Sequence, residues 1–162
     1  MNNTILLRKY AINYLSKYDS SKKNLRRILK NKILKFQNID NNEKEILKIK
    51  INEIIKELDY KKIIDDERFS KNKLISLLEQ GKSEKFIRSI LYIKGIENNI
   101  INKIFLDIEK NNPDWKTNAA KNYIMKKKLG KYSNEKNYKK DLAKMARAGF
   151  NYDIIKKVLD LK

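Results

Sequence analysis

The sequence contains no cysteine and no histidine, and only one proline and four glycines among its 162 residues. Without cysteine there is no thiol nucleophile and no disulfide, and without histidine the commonest general base is missing. Zinc sites lose both of their usual ligands. Because glycine and proline are the main turn residues, their scarcity favours helices over many short strands.

The sequence also lacks a long apolar run. No stretch approaches the roughly 20 apolar residues that a bilayer-spanning helix needs. The segment from Met1 to Arg8 has no hydrophobic centre of the kind found in signal peptides. We therefore expect a cytoplasmic protein without a membrane partner.

Acidic residues are about half as common as basic ones. The chain has 39 Lys and Arg against 20 Asp and Glu, a net charge of +19, which favours a polyanionic partner such as nucleic acid or a protein coated on it. The alternative explanation of the charge is a compositional bias toward lysine. Such a bias explains why lysine replaces arginine, but it does not explain why basic residues outnumber acidic ones. The net charge is +9 in residues 1–64, +1 in residues 65–111 and +9 in residues 112–162.

Apolar residues recur at spacings of three and four, the period of an amphipathic helix. In the first half of the chain they predict four helices, with a cap at Ser20 or Ser21 before the second and at Asp65 and Asp66 before the fourth, which ends at Gly81. The residues expected to face inward are Ile5, Leu6, Ala11, Ile12, Leu15 and Tyr18; Leu25, Ile28, Leu29 and Ile33; Ile46, Leu47, Ile51, Ile54, Ile55 and Leu58; and Phe69, Leu74, Leu77 and Leu78.

The sequence repeats internally. Residues 83–91 match residues 21–29 at an offset of 62, with Ser83 on Ser21 and Arg88 on Arg26, and residues 149–159 match residues 95–105 at an offset of 54. Such a period predicts a helical repeat protein. The predicted fold is all-α: three tandem three-helix repeats, residues 1–64, 65–111 and 112–162, in an elongated, curved array.

Four segments, in this order along the chain, resemble the RecX family of recombination regulators. They are Ala11–Lys32, the string Ile63-Ile64-Asp65-Asp66-Glu67-Arg68-Phe69, Gly81–Gly95, and Gly149–Leu159. Within the string, Asp65, Asp66, Arg68 and Phe69 carry the resemblance. The first repeat departs from the family pattern at Ile33, where glycine is usual, and by an insertion at about residues 36–50.

The resemblance implies a regulator and not an enzyme, with no metal or other cofactor. Its implied partners are RecA and the RecA filament on single-stranded DNA, whose ATP hydrolysis and strand exchange it modulates, most often by inhibition. This places it in homologous recombination, DNA repair and the SOS response. We expect a monomer. A stand-alone helical DNA-binding protein without a RecA partner is the alternative function.

Asp65, Asp66 and Glu67 are adjacent acids that could serve acid–base catalysis or hold Mg²⁺. Carboxylates at the start of a helix also accept hydrogen bonds from its free N–H groups and face the positive end of its dipole. The capping interpretation is the favoured one. A metal-dependent nuclease is the weaker alternative.

Three groups of basic residues are candidates for contact with RecA or DNA. The groups are Lys23, Arg26, Arg27 and Lys30; Lys82, Lys85 and Arg88; and Lys127, Lys128, Lys140, Lys144 and Arg147, the last with Lys126, Lys131, Lys136 and Lys139 nearby. A merely solvated face explains the first group equally well. Arg88 is the chosen ion-pair anchor for RecA, because arginine holds carboxylates in a bidentate fork and is enriched at interfaces.

Aromatic residues accompany the third group. Tyr132 and Tyr138 lie among its lysines and could stack on bases, although at least one of them is expected in the core. Trp115 is expected to anchor the last repeat in the core and not to stack on bases.

Overall fold

The computed structural model describes residues 3–37, 39–133 and 137–159, and all regular structure in these ranges is helical. Nine α-helices and one short 3-10 helix, Gly130–Tyr132, occur there. The α-helices are α1 Asn3–Leu15, α2 Lys22–Ile33, α3 Asn41–Tyr60, α4 Asp66–Glu79, α5 Glu84–Ile93, α6 Asn98–Asn111, α7 Trp115–Lys127, α8 Tyr138–Arg147 and α9 Tyr152–Leu159. The all-α prediction is confirmed. Among these helices, none is both long and apolar enough to cross a membrane.

The helices belong to two compact units. One contains the chain up to Phe69 together with Lys94–Ile96, and the other contains Ser70–Ile93 together with the residues from Glu97 onward. Each of the ranges 1–64, 65–111 and 112–162 carries three of the described α-helices, if the one-turn 3-10 helix is set aside. The division into three repeats and their curved array remain predictions.

The core of the first unit is aliphatic and almost free of solvent. It consists of Leu7, Ala11, Leu25, Leu29, Ile33, Leu47, Ile51, Ile54, Ile55, Leu58 and Ile64. Most of the expected inward residues are here, but Ile46, Ile5 and Ile12 are 50 %, 45 % and 42 % exposed. The prediction was wrong for these three. Successive residues point about 100° apart around a helix, and the buried side of these helices contains Leu7, Ala11 and Leu47 instead. Tyr18 lies beyond the end of α1 and is also exposed.

The second unit contains a core of Ala120, Ile124, Leu129, Met145, Ile155 and Val158. Trp115, at the start of α7, is only 2 % exposed, and its ring centroid lies 5.5 Å from that of Phe105. Its indole N–H donates to Glu109 Oε2 at 2.7 Å. The expectation that Trp115 is a core anchor is confirmed.

The matched serines Ser21 and Ser83 have the same structural role. The N–H of Asn24 donates to Ser21 Oγ, and the hydroxyl of Ser21 donates to the carbonyl of Lys94 at 2.7 Å. The hydroxyl of Ser83 likewise caps its own helix and donates to the carbonyl of Ala148 at 2.6 Å. Lys94 and Ala148 each precede a glycine with positive φ, Gly95 and Gly149. The same contact therefore occurs twice in the structure. The offset of 62 residues relates the two serines, and the offset of 54 relates the two glycine turns that they bind.

Candidate functional site

The start of α2 is held by acids that come much later in the chain. Asp66 accepts the backbone N–H of Lys22 at 2.8 Å, and the ammonium of Lys22 pairs with Asp59 at 2.7 Å. Asp66 was expected to cap its own helix, and the structure adds a contact that this prediction did not include, because its carboxylate caps α2. Asp66 is the first residue inside α4, and its carboxylate points toward the start of α2.

Asp65 is the cap of α4. Its Oδ1 accepts the N–H groups of Glu67 and Arg68 at 2.9 and 3.1 Å. The guanidinium of Arg68 reaches back to the carbonyls of Lys62 and Ile63, at 3.4 and 3.2 Å, where the chain leaves α3 with Lys62 at a φ of +55°. Phe69 is 7 % exposed. The string thus stabilises the α3–α4 turn, and the described residues contain no group of three acids able to hold a metal ion.

The two neighbouring carboxylates differ in pKa. Burial raises the pKa of Asp66 above its ordinary value, against the opposing effect of the Lys22 N–H and ammonium. The N–H of Arg68 is the main reason that the pKa of Asp65 is lowered, aided by the N–H of Glu67. The difference follows from geometry, because Asp66 is buried and Asp65 receives two hydrogen bonds at a helix start.

The pH dependence of stability should therefore have opposite signs at these two positions. A raised pKa in the folded state contributes stability below the unfolded pKa, near pH 3.9, which is lost as pH rises through the folded pKa. The difference in free energy of unfolding between the wild type and Asp66→Asn should therefore shrink as the pH rises from about 3.9 through the raised pKa of Asp66. The advantage over Asp65→Asn should be present above pH 3.9 and be lost as the pH falls through the lowered pKa. Urea unfolding at a series of pH values measures both, and parallel curves for the two variants would contradict the assignment.

The basic residues of α2 are divided between solvent and internal contacts. Lys23, Arg27 and Lys30 are exposed, and Arg27 donates to Asn24 Oδ1 at 3.0 Å within its own helix. Arg26 is half-buried and donates from Nε to Asn52 Oδ1 of α3 at 3.2 Å. The exposed members form a cationic face, while Arg26 also ties α2 to α3.

Arg88 is the counterpart of Arg26 and has more internal contacts. Its guanidinium bonds Glu84 at 2.8 Å and Asn102 of α6 at 3.0 Å, and its Cζ lies 4.2 Å from the centre of the Phe105 ring. Asn102 thus corresponds to Asn52. Lys82 lies over the ring of Phe86, 4.9 Å from Nζ to the centroid, and Lys85 is exposed.

The third group is fully on the surface. Lys127, Lys128, Lys140, Lys144 and Arg147 are all exposed. Lys140, Lys144 and Arg147 recur at spacings of four and three on α8 and so lie along one side of that helix. Tyr132 and Tyr138 are 42 % and 44 % exposed, so the expectation that one of them is in the core was wrong. Lys136 lies outside the described residues.

Sequence reasoning missed the ion-pair network around Trp115. Lys116 Nζ lies 3.4 Å from Glu84 Oε2 and 3.5 Å from Glu109 Oε2, and Lys116 and Glu84 line the cavity described below. Glu84 and Lys116 are 32 residues apart, and no local pattern marks such a pair. The only available signal was that Glu84 precedes Arg88 by four residues, a spacing that favours an ion pair on a helix.

Comparison with known proteins finds a similarity to RecX proteins. No family model matches the chain. It is 29 % identical over 155 residues to "Regulatory protein RecX" of Myxococcus xanthus, covering 93 % of this chain and 82 % of that protein. The chain is thus similar to a RecX regulatory protein over most of its length. The crystal structure of RecX from Lactobacillus salivarius superposes with a TM-score of 0.73 at 22 % identity, covering 99 % of both chains.

A second RecX crystal structure has the same fold. It matches with a TM-score of 0.69 at 19 % identity over 98 % of this chain and 74 % of that one. The RecX resemblance inferred from the four sequence segments is therefore confirmed, together with the all-helical fold. The described residues place the string Ile63–Phe69 at a structural turn and most of the basic candidates on the surface.

Proposed function

We propose that the protein binds RecA and the RecA filament on single-stranded DNA and inhibits its ATP hydrolysis and strand exchange. The observation that carries the proposal is the match to a protein named "Regulatory protein RecX" over 93 % of the chain. The net charge of +19 supports a partner with negative surface charge, such as a DNA-bound filament. The absence of cysteine and histidine from the sequence agrees with a regulator that acts by binding.

The exposed basic residues support two kinds of contact. Lys140, Lys144 and Arg147, which are consecutive along one side of α8, suit a phosphate backbone, because lysine attracts phosphate without a strict geometry. The face of α2 with Lys23, Arg27 and Lys30 is the second such surface. The function would place the protein in the cytoplasm, in homologous recombination, DNA repair and the SOS response.

The test is the single-stranded-DNA-dependent ATPase of the cognate RecA, with this protein titrated in. We expect inhibition at amounts well below one molecule per RecA subunit. The triple variant Lys140→Gln, Lys144→Gln, Arg147→Gln should require about ten-fold more protein, because three phosphate contacts are lost. The matched control is Lys48→Gln, Lys50→Gln, Lys61→Gln, whose lysines each pair with an acid of α3. No inhibition up to molar excess at moderate salt would overturn the proposal.

A second candidate is a DNA-binding protein without a RecA partner, which the charge alone also favours. Both candidates predict DNA binding that weakens steeply with salt. They differ in the need for RecA: association with RecA in the absence of DNA supports the first, and DNA binding with no effect on RecA supports the second.

A further inference from the structure

A cavity of about 360 Å³ opens in the second unit beside Trp115. One part of its lining is apolar: Ala119, Trp115, Phe150 and Ile154. Trp115 and Ala119 are each 2 % exposed and therefore form a rigid wall, while Phe150 and Ile154 pack on the core as partly buried residues. The volume suits one large aliphatic or aromatic side chain, at the lower end of the range for ligand pockets.

The other part of the lining is charged, with an excess of cations. Lys85, Arg88 and Lys116 face one acid, Glu84. Glu84 is shared, because Arg88 bonds its Oε1 at 2.8 Å while Lys116 lies 3.4 Å from its Oε2. Lys116 also lies 3.5 Å from Glu109 Oε2, so two carboxylates face three cations, and the rim of the cavity is complementary to one additional negative group.

Arg88 has donors left for that group. A guanidinium carries five N–H donors, and two are used here, by Glu84 and Asn102. The guanidinium is also held in place by the Phe105 ring, 4.2 Å away. An arginine fixed in this way loses little side-chain entropy on binding a carboxylate, and its planar fork matches carboxylate geometry.

We propose that this cavity binds a peptide segment of a protein partner in which an acidic residue stands next to a large apolar one. The carboxylate would bond Arg88 and Lys116, and the apolar side chain would fill the space against Ala119, Phe150 and Ile154. The proposal does not require that this partner is RecA, and it goes beyond the proposed regulation of RecA.

Nucleic acid fits the cavity less well. The face of the Trp115 ring is covered, so it offers no platform for a base. Glu84 and Glu109, which both lie within ion-pair distance of Lys116, would repel a polyphosphate chain. A single carboxylate next to an apolar group needs no platform for a base, and it adds only one negative charge, which equals the excess of three cations over two acids.

The sole tryptophan of the sequence forms part of the cavity wall, so its fluorescence reports on occupancy directly. The probe is an array of blocked hexapeptides in which one Asp or Glu stands next to Leu, Ile, Val or Phe, with a second array in which Asn or Gln replaces the acid. We expect members of the first array to shift the Trp115 emission in a saturable way, and their amide counterparts to bind at least ten-fold more weakly.

Matched variants locate the site. Lys116→Gln and Arg88→Lys should each weaken peptide binding about ten-fold, the first by losing a charge and the second by losing the fork. Lys121→Gln is the control, because Lys121 is exposed on the same helix but does not line the cavity. Thermal melts of all variants separate loss of binding from loss of folding.

The proposal is overturned if no acidic peptide shifts the emission, if the amide array binds equally well, or if Lys121→Gln weakens binding as much as Lys116→Gln. It is also overturned if single-stranded DNA produces the shift and Lys116→Gln abolishes it, since the occupant would then be nucleic acid. The experiment contains no RecA, so its failure would leave the proposed regulation of RecA untouched.

Discussion

Gly81→Ala is expected to lower the free energy of unfolding by about 3 kcal/mol, the sum of a backbone penalty and a steric one. Gly81 ends α4 at a φ of +75°, with its own N–H on the carbonyl of Leu78 and the N–H of Lys82 on that of Leu77. A left-handed conformation costs an L-residue roughly 1–2 kcal/mol. In addition, a Cβ at this position would lie 2.6 Å from the backbone nitrogen of Tyr123 and 2.8 Å from its Cα. Backbone atoms of a helix cannot move aside cheaply, so the contact itself adds about 1–3 kcal/mol.

Gly130→Ala provides the control for the steric part. Gly130 also has a positive φ, +54°, but its added Cβ would meet only the end of the Leu159 side chain, at 3.1 Å. A flexible side chain can move, so we expect a loss of about 1 kcal/mol. Chemical denaturation followed by the fluorescence of Trp115, which lies in the same unit as both glycines, measures the two variants. Equal losses would show that the approach to Tyr123 does not determine the cost at Gly81.

Leu29→Ala should cost about 3 kcal/mol, because it removes three heavy atoms, Cγ, Cδ1 and Cδ2, from a completely buried position. Leu29 is 0 % exposed and belongs to the aliphatic core of the first unit. The loss combines the transfer free energy of the removed methyl and methylene groups with the cost of the cavity left behind. For a chain of this length it should lower the Tm by roughly 10 °C.

Leu34→Ala tests whether burial is the cause. Leu34 follows the end of α2 and is 66 % exposed, so the same chemical change should alter the stability by no more than about 0.5 kcal/mol. Circular dichroism at 222 nm follows the loss of helix in both variants. A Leu34→Ala effect close to that of Leu29→Ala would contradict the assignment of the core.

Much of the fold was predictable because its signals are local. The spacing of Leu47, Ile51, Ile54 and Leu58 predicts both a helix and its buried side. The serine before α2 and the glycine after α4 mark helix ends through contacts within one or two turns. The offset repeats were also readable, since they need only comparison of the sequence with itself.

The predictions of buried residues were wrong where the direction of a single side chain around its helix decides whether it is buried. Ile46 was expected inward together with Leu47, yet it is half exposed. Adjacent residues on a helix point about 100° apart, so both are buried only where other helices cover both directions, as at Ile54 and Ile55. The choice depends on the packing of α3 against α2 and α1, which the sequence does not display.

By itself, the sequence determined the helical class, several helix ends, the repeated Ser21 and Ser83 positions and the resemblance to RecX proteins. The tertiary structure decided how the polar side chains are used. It turned Asp66 toward the N–H of Lys22, 44 residues away, and brought Lys116 to Glu84 beside Arg88. The physical reason is range: hydrophobic periodicity and capping act within a few residues, whereas hydrogen bonds and ion pairs between distant segments exist only after packing has brought those segments together.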